Sequence, residues 1–238
     1  MLVNKTSAIV RENRLLAALS DSEYQRLVPH LNFIPLSLGQ VLYEAEEPIT
    51  QVYFPNNSLV SLVITTENGS TVEVGIVGNE GMVGIPVILG TNTTTTSGIV
   101  QMAGSAMQMN ADILNIEFER GGTLQKLLLR YVQALHTQVS QTAVCNRLHT
   151  LEARLARWLL IVSDRIQSDK LPLTQEYISH MLGVRRSGVT VAAGTLSNQG
   201  IIRYSRGQIT ILNREGLEAT SCECYRAIKN ELARLLGN

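Results

Sequence analysis

A chain of 238 residues, 45% of them hydrophobic and 17% charged, is long enough to bury one large core or two small ones. Three cysteines are too few for a disulfide framework, no cationic start with an apolar run marks a signal peptide, and no apolar segment reaches the roughly 18 residues of a membrane span, so a cytoplasmic protein with no membrane partner is expected. The formal net charge of zero conceals two opposed halves: residues 27–119 hold nine acids and no Lys or Arg, whereas residues 120–238 hold 16 basic residues against eight acids.

The first predicted elements are helices, one near residues 13–19 and one begun by Ser20 or Asp21. Short β-like runs follow at residues 40–43, 51–54, 59–65, 71–77 and 99–109, separated by turn chemistry such as Glu47-Pro48, Asn68-Gly69 and Gly78-Asn79-Glu80-Gly81. β-Branched strands at this spacing predict an antiparallel sandwich or barrel. Asn68-Gly69 is the strongest hairpin signal, because both residues tolerate positive φ. The tract 91–96 is polar without alternation and reads as a loop.

Near Gly121-Gly122 the period lengthens toward three and a half. Leu124, Leu128, Tyr131, Leu135, Gln138, Thr142 and Cys145 fall at alternating spacings of four and three, a narrow stripe along one helix. It is read as the seam of a parallel homodimer, with packing against the chain's own β module as the alternative. A second helix over 151–165 carries Leu151, Leu155, Trp158, Leu159 and Val162 on one face, with Arg154 and Arg157 off it. The hinge between them, at His149-Thr150, divides a β sensor domain with its dimerisation helix (1–149, helix about 121–148) from a basic domain (150–238).

The charge balance directs the search for a nucleic-acid face to this basic domain, dispersed and solvated arginines being the alternative. Thr174 can cap a helix over 175–182 that Gly183 ends in a left-handed conformation, and a second helix follows. Ile178, Leu182, Val184, Val189 and Ala192 occupy the positions where a helix-turn-helix packs, with small Ser179 at the close approach and Gly183 in the turn. Residues 201–204 and 208–212 flank Ser205-Arg206-Gly207 as a wing, and Asn213 can cap one last helix through Leu236. Arg185 and Arg186 stand at the positive end of the second helix, a poor position unless an anion lies across its first turn. In a helix-turn-helix that end meets the major groove, where arginine reads guanine or contacts phosphate. Ser187, Gly188 and Thr190 are placed on the exposed side of this helix, tight packing being the alternative for the small residues. Thr174 and Gln175 are placed near the DNA backbone, and Arg206 at the wing tip.

Together with LSLGQVLYEAEEPITQVYFPNNSLVSLV (36–63) and EVGIVGNEGMVGIPVILG (73–90), these features resemble the cyclic-AMP receptor/Fnr (Crp/Fnr) family of bacterial transcription regulators. The resemblance implies an α+β fold: an N-terminal cyclic nucleotide-binding-like β-roll (a double-stranded jelly roll), a long dimerisation helix and a C-terminal winged helix-turn-helix. It implies double-stranded DNA as partner, a homodimer, and RNA polymerase contact if the protein activates. Arg186 matches the guanine-reading Arg of the family pattern Ser-Arg-Glu-Thr-Val-x-Arg, but Ser187 and Val191 replace its Glu and last Arg, so an atypical operator is expected. In the ligand cassette Glu80-Gly81 matches the ribose-binding Glu and its turn and Ser97 the Ser, while Thr96 stands where the phosphate-binding Arg belongs. Cyclic nucleotides are therefore not expected to bind, and no effector is identified.

No cofactor or metal is expected: an iron–sulfur cluster needs four thiolates, and His30 is the only imidazole before the long helix. Cys222 and Cys224 lie on a predicted helix, where residues two apart face different ways, so these thiols read as structural. The competing readings are an orphan β-roll sensor of another small ligand and a cupin-like metal enzyme with an appended DNA-binding module. The enzyme would need clustered His and carboxylate on its strands, and the β region has no His after His30.

Overall fold

The computed structural model describes residues 12–237. Asn13 caps α1 (Arg14–Ala17) and donates to the Pro55 and Gly81 carbonyls at 2.9 Å each, which ties the first helix to the β module. Ser20 caps α2 (Asp21–Leu27). Seven strands then form two antiparallel sheets. One has the order β1 (Asn32–Leu36), β7 (Gly104–Asn110), β3 (Gln51–Pro55); the other is β2 (Val41–Tyr43), β6 (Ser97–Met102), β4 (Leu59–Thr65), β5 (Thr71–Val77). The β4–β5 hairpin turns at Asn68-Gly69, with Gly69 at φ +82°. Residues 91–96 form the predicted loop.

Two departures from the sequence pattern have local causes. The single run predicted over 99–109 is two strands in different sheets, because the chain crosses between them at Ala103. Gly104 permits the crossing: a Cβ there would lie 2.6–2.9 Å from Asn57. β1, which the alternation did not single out, contains Pro35 and is tolerated because it lies at a sheet edge.

After α3 (Ala111–Glu119), Gly121 and Gly122 adopt positive φ and lead into the long helix α4 (Gly122–Leu148). No local side chain caps α4; Glu23 of α2 instead accepts from the Thr123 and Leu124 amides at 2.7 and 3.2 Å. Burial opposes the charge of Glu23, yet hydrogen bonds from Ser20, Thr123 and Leu124 hold its carboxyl down to about 2.

The stripe expected to be the dimer seam is buried inside the chain. Leu124, Leu128, Tyr131 and Leu135 belong to the β-module core, Gln138 donates to the Ile76 carbonyl at 3.1 Å, and Cys145 packs with Cys222 and Cys224. The alternative reading of that face is the correct one: the most apolar face of α4 closes its own β module. A second line runs one residue on, again at spacings of three and four: Leu129, His136, Val139 and Ala143 are exposed, and Val132 between them is partly buried against the β-module core.

The C-terminal module comprises α5 (Leu151–Ile166), α6 (Gln175–Leu182), α7 (Arg186–Asn198), the sheet β8–β10–β9 (Lys170–Leu171, Gln208–Ile211, Ile202–Ser205), α8 (Arg214–Thr220) and α9 (Cys224–Leu236). The single last helix predicted from Asn213 is thus two, broken between Thr220 and Cys224. Its core is continuous with the β module, because Leu59, Val63 and Ile76 of the four-stranded sheet pack with Leu155, Leu159, Ile178 and Leu182. Arg157, placed by periodicity on the open face of α5, is buried too, since α4 runs beside it and Thr142 accepts from its Nη1 at 3.4 Å.

Candidate nucleic-acid interface and effector cassette

Thr174 accepts from the Tyr177 amide and starts α6; Gly183, at φ +61°, ends it. Ile178, Ser179, Leu182, Val189 and Ala192 are buried between the two helices and α5. Arg185 occupies the N-cap position of α7, yet no side chain caps that helix. The first amides of α7 are therefore unfilled by protein side chains, which makes this helix end receptive to an anion.

Thr174, Arg185, Arg186, Ser187, Thr190 and Arg206 are all exposed. Arg186 makes one loose contact, 3.5 Å from Glu176 Oε2, with both side chains mostly in solvent. Arg206 sits at the wing turn between β9 and β10 with φ +48°. Gln175 holds the parts together: its amide donates to Tyr204 Oη of the wing at 3.2 Å, and its Oε1 accepts from Thr190 at 2.7 Å. Gly188 departs from its expected position. It is half-buried, and a Cβ there would come within 3.0 Å of Leu151 Cδ2, so its smallness serves the packing of α7 on α5 rather than an open face.

Residues 153–220 match the Crp-like helix-turn-helix domain, and residues 34–120 match the cyclic nucleotide-binding domain. The chain belongs to the Crp/Fnr family of transcription regulators. As in that non-enzymatic family, this is a DNA-binding regulator, and no helix among the described residues is long and apolar enough to cross a membrane. The same fold occurs in FixK2 from Bradyrhizobium japonicum (16% identity, TM-score 0.70, covering 81% of this chain and 98% of that one). It occurs also in a Crp-family transcriptional regulator from Thermus thermophilus (17%, TM-score 0.65, 79% and 96%). A third case is CLP, a c-di-GMP-responsive global regulator of Xanthomonas campestris (12%, TM-score 0.62, 81% and 99%). A search of curated proteins gave no match.

The cassette positions of this Crp/Fnr chain are occupied by its own side chains. Glu80 is buried and pairs at 2.8 Å with Nε of Arg165 from α5, itself buried. The β module, which has no Lys or Arg between residues 27 and 119, thus takes a guanidinium from the DNA-binding module. Arg165 was not singled out from the sequence, because nothing in the periodicity of α5 distinguishes an arginine that turns inward. Gly81 lies under Tyr131, whose ring atoms would stand 2.4 Å from a Cβ. Thr96 neighbours Tyr43 Oη at 3.4 Å, and Ser97 donates to Glu44 and accepts from the Ala45 amide. The pair Glu80–Arg165 also lines a cavity of about 590 Å³ bounded by Asn79, Asp164, Tyr225 and Lys229.

A second polar contact crosses the same boundary. Glu73 of β5 accepts from Ser61 at 2.5 Å and from Trp158 Nε1 at 2.8 Å. Burial pushes its carboxyl up to about 7, against those hydrogen bonds and the charges of Arg157 and Arg165. Gly183, in the helix-turn-helix turn, lies against Val72, 3.0 Å from where its Cβ would be. The DNA-binding module is docked on its own β-roll through buried polar groups.

Proposed function

We propose that the chain regulates transcription as a cytoplasmic homodimer that reads a specific operator with α7, and that neither cyclic AMP nor cyclic GMP is its effector. The uncapped first turn of α7 with Arg185 and Arg186 exposed on it carries the reading, since such an end offers both amide donors and guanidinium groups to duplex DNA. Arg186 is the base reader; Arg185, Arg206, Thr174 and Ser187 contact phosphate or base edges, and Gln175 and Thr190 brace the two helices against the wing. The exposed residues Leu129, His136, Val139 and Ala143 form the dimer seam, because with the half-buried Val132 they are set at coiled-coil spacing. Two recognition helices would then meet half-sites one helical turn apart.

The effector reading rests on Thr96 in place of the phosphate-binding Arg and on the prior claim of Arg165 on Glu80. An effector of other chemistry would act by shifting the balance between docked and released DNA-binding modules. Footprinting on genomic fragments with the native chain and with Arg186→Ala tests the DNA reading: loss of the specific footprint with retained folding is expected, and an unchanged footprint rejects it. Calorimetry tests the effector reading, which micromolar cyclic AMP or cyclic GMP affinity coupled to DNA binding would overturn. Val139→Glu should convert the dimer to monomer in sedimentation.

A further inference from the structure

Four side chains with no part in DNA reading gather at the hinge. Cys145 lies in the last turns of α4, His149 follows that helix, and Cys222 and Cys224 flank Glu223 where α8 gives way to α9. The break between those helices undoes the expectation that the two cysteines diverge, because Cys222 precedes α9 and is not held to helical geometry. All three thiols are free and buried. The four candidate ligand atoms lie within 4.8 Å of one another, with Cys145 Sγ 3.4 Å from Cys222 Sγ and Cys224 Sγ 3.7 Å from His149 Nδ1. A tetrahedral ion with metal–sulfur bonds of about 2.3 Å and metal–nitrogen bonds of about 2.0 Å spaces its ligands by roughly 3.5–3.8 Å.

Two independent observations point to an ion rather than to mere thiol packing. His149 Nε2 stands 3.3 Å from Glu223 Oε1, so Nε2–H donates to the carboxylate between the two cysteines, which leaves the Nδ1 lone pair facing the sulfurs. This is how outer carboxylates orient metal-bound histidines. Arg157 is buried with Nε unpartnered, and its Nη1 donates at 3.4 Å to Thr142, three residues before Cys145 on α4. Three thiolates around a divalent ion carry one net negative charge, which this buried guanidinium would balance.

We infer that Cys145, His149, Cys222 and Cys224 form a structural zinc site that joins the end of the long helix to the α8–α9 connection of the DNA-binding module. Three thiolates and an imidazole select zinc among the hard and soft divalent ions, and four protein ligands leave no open position for catalysis. The ion clamps the hinge at His149-Thr150 from both sides, so the placement of α7 relative to α4 depends on it. The half-buried His149 and the exposed Glu223 give the ion access from solvent. None of this depends on which bases the recognition helix reads.

The full chain, purified under reducing conditions without chelator, should carry one zinc per chain by elemental analysis. After zinc removal, Co²⁺ should bring up thiolate-to-cobalt charge-transfer absorption and the ligand-field bands of tetrahedral cobalt, both saturating at one equivalent and abolished by zinc. Cys222→Ser should lose the site. Should that variant fail to fold, Glu223→Gln keeps all four ligands and should weaken zinc binding about 10- to 100-fold in a chelator competition. A folded, reduced, zinc-free chain that gives no charge-transfer band overturns the proposal. A Glu223→Gln affinity equal to that of the native chain removes the orienting carboxylate from it.

Discussion

Arg165 and Arg186 each face a glutamate, yet the two pairs behave as opposites. Arg165 and Glu80 are buried at 2.8 Å across the boundary between modules; Arg186 and Glu176 stand 3.5 Å apart with most of both side chains in water. In the interior neither charge can be left alone, because both groups have given up nearly all their contact with solvent. At the surface either partner can leave at little cost. One guanidinium is thus enclosed between the halves of the chain and the other is left largely in solvent. The same two residue types form a tight pair in one place and a loose one in the other because solvation differs.

Removing the buried guanidinium is the severest way to break this contrast. Arg165→Ala should lower stability by about 3–5 kcal/mol in denaturant unfolding and speed proteolysis at the hinge, because Glu80 is left buried and unpaired. The double variant Glu80→Leu/Arg165→Met should recover much of that loss; if it does not, the pair is not what holds the boundary.

Next is the neighbouring carboxyl. Burial raises Glu73 from 4.5 to about 7 in the docked chain, so the docked state favours its neutral form. The stability this gives is complete below 4.5, falls as pH rises through about 7, and is level above, because the released or unfolded chain gives up that proton first. Unfolding midpoints measured across this window should show the decline, and Glu73→Gln should flatten it.

At the surface the changes should be smaller and confined to binding. Arg186→Ala should weaken specific DNA binding by about 1–3 kcal/mol in gel-shift titrations while leaving the unfolding midpoint in place. The smallest effect is expected for Glu176→Ala, which should move stability by no more than about 1 kcal/mol. A large loss there would mean that Arg186 is committed to Glu176 and the contrast with Arg165 is false.

Much of the fold was legible in the residues. Asn68-Gly69, the helix starts at Ser20 and Thr174, Gly183 and the small Ser179 all act through backbone conformation or contacts within a few residues, so their effect follows from local order. The exposed Arg185, Arg186 and Arg206 were legible for the same reason, each lying at a helix start or a turn. The α4 stripe misled because two lines with the same spacing run one residue apart, and periodicity does not say which one a β-roll covers. Gly188 was assigned outward because its contact, Leu151, lies on another helix.

The sequence by itself determined the local elements, the opposed charges of the two halves and the identity of the helix that carries the paired arginines, since each of these depends on neighbours along the chain. Tertiary structure alone decided that Arg165 reaches Glu80 from 85 positions away, that Glu73 meets Trp158, and that three thiols and an imidazole from α4, the hinge and the α8–α9 connection converge. Such contacts are fixed by which faces exclude water together, and that depends on how the two modules dock.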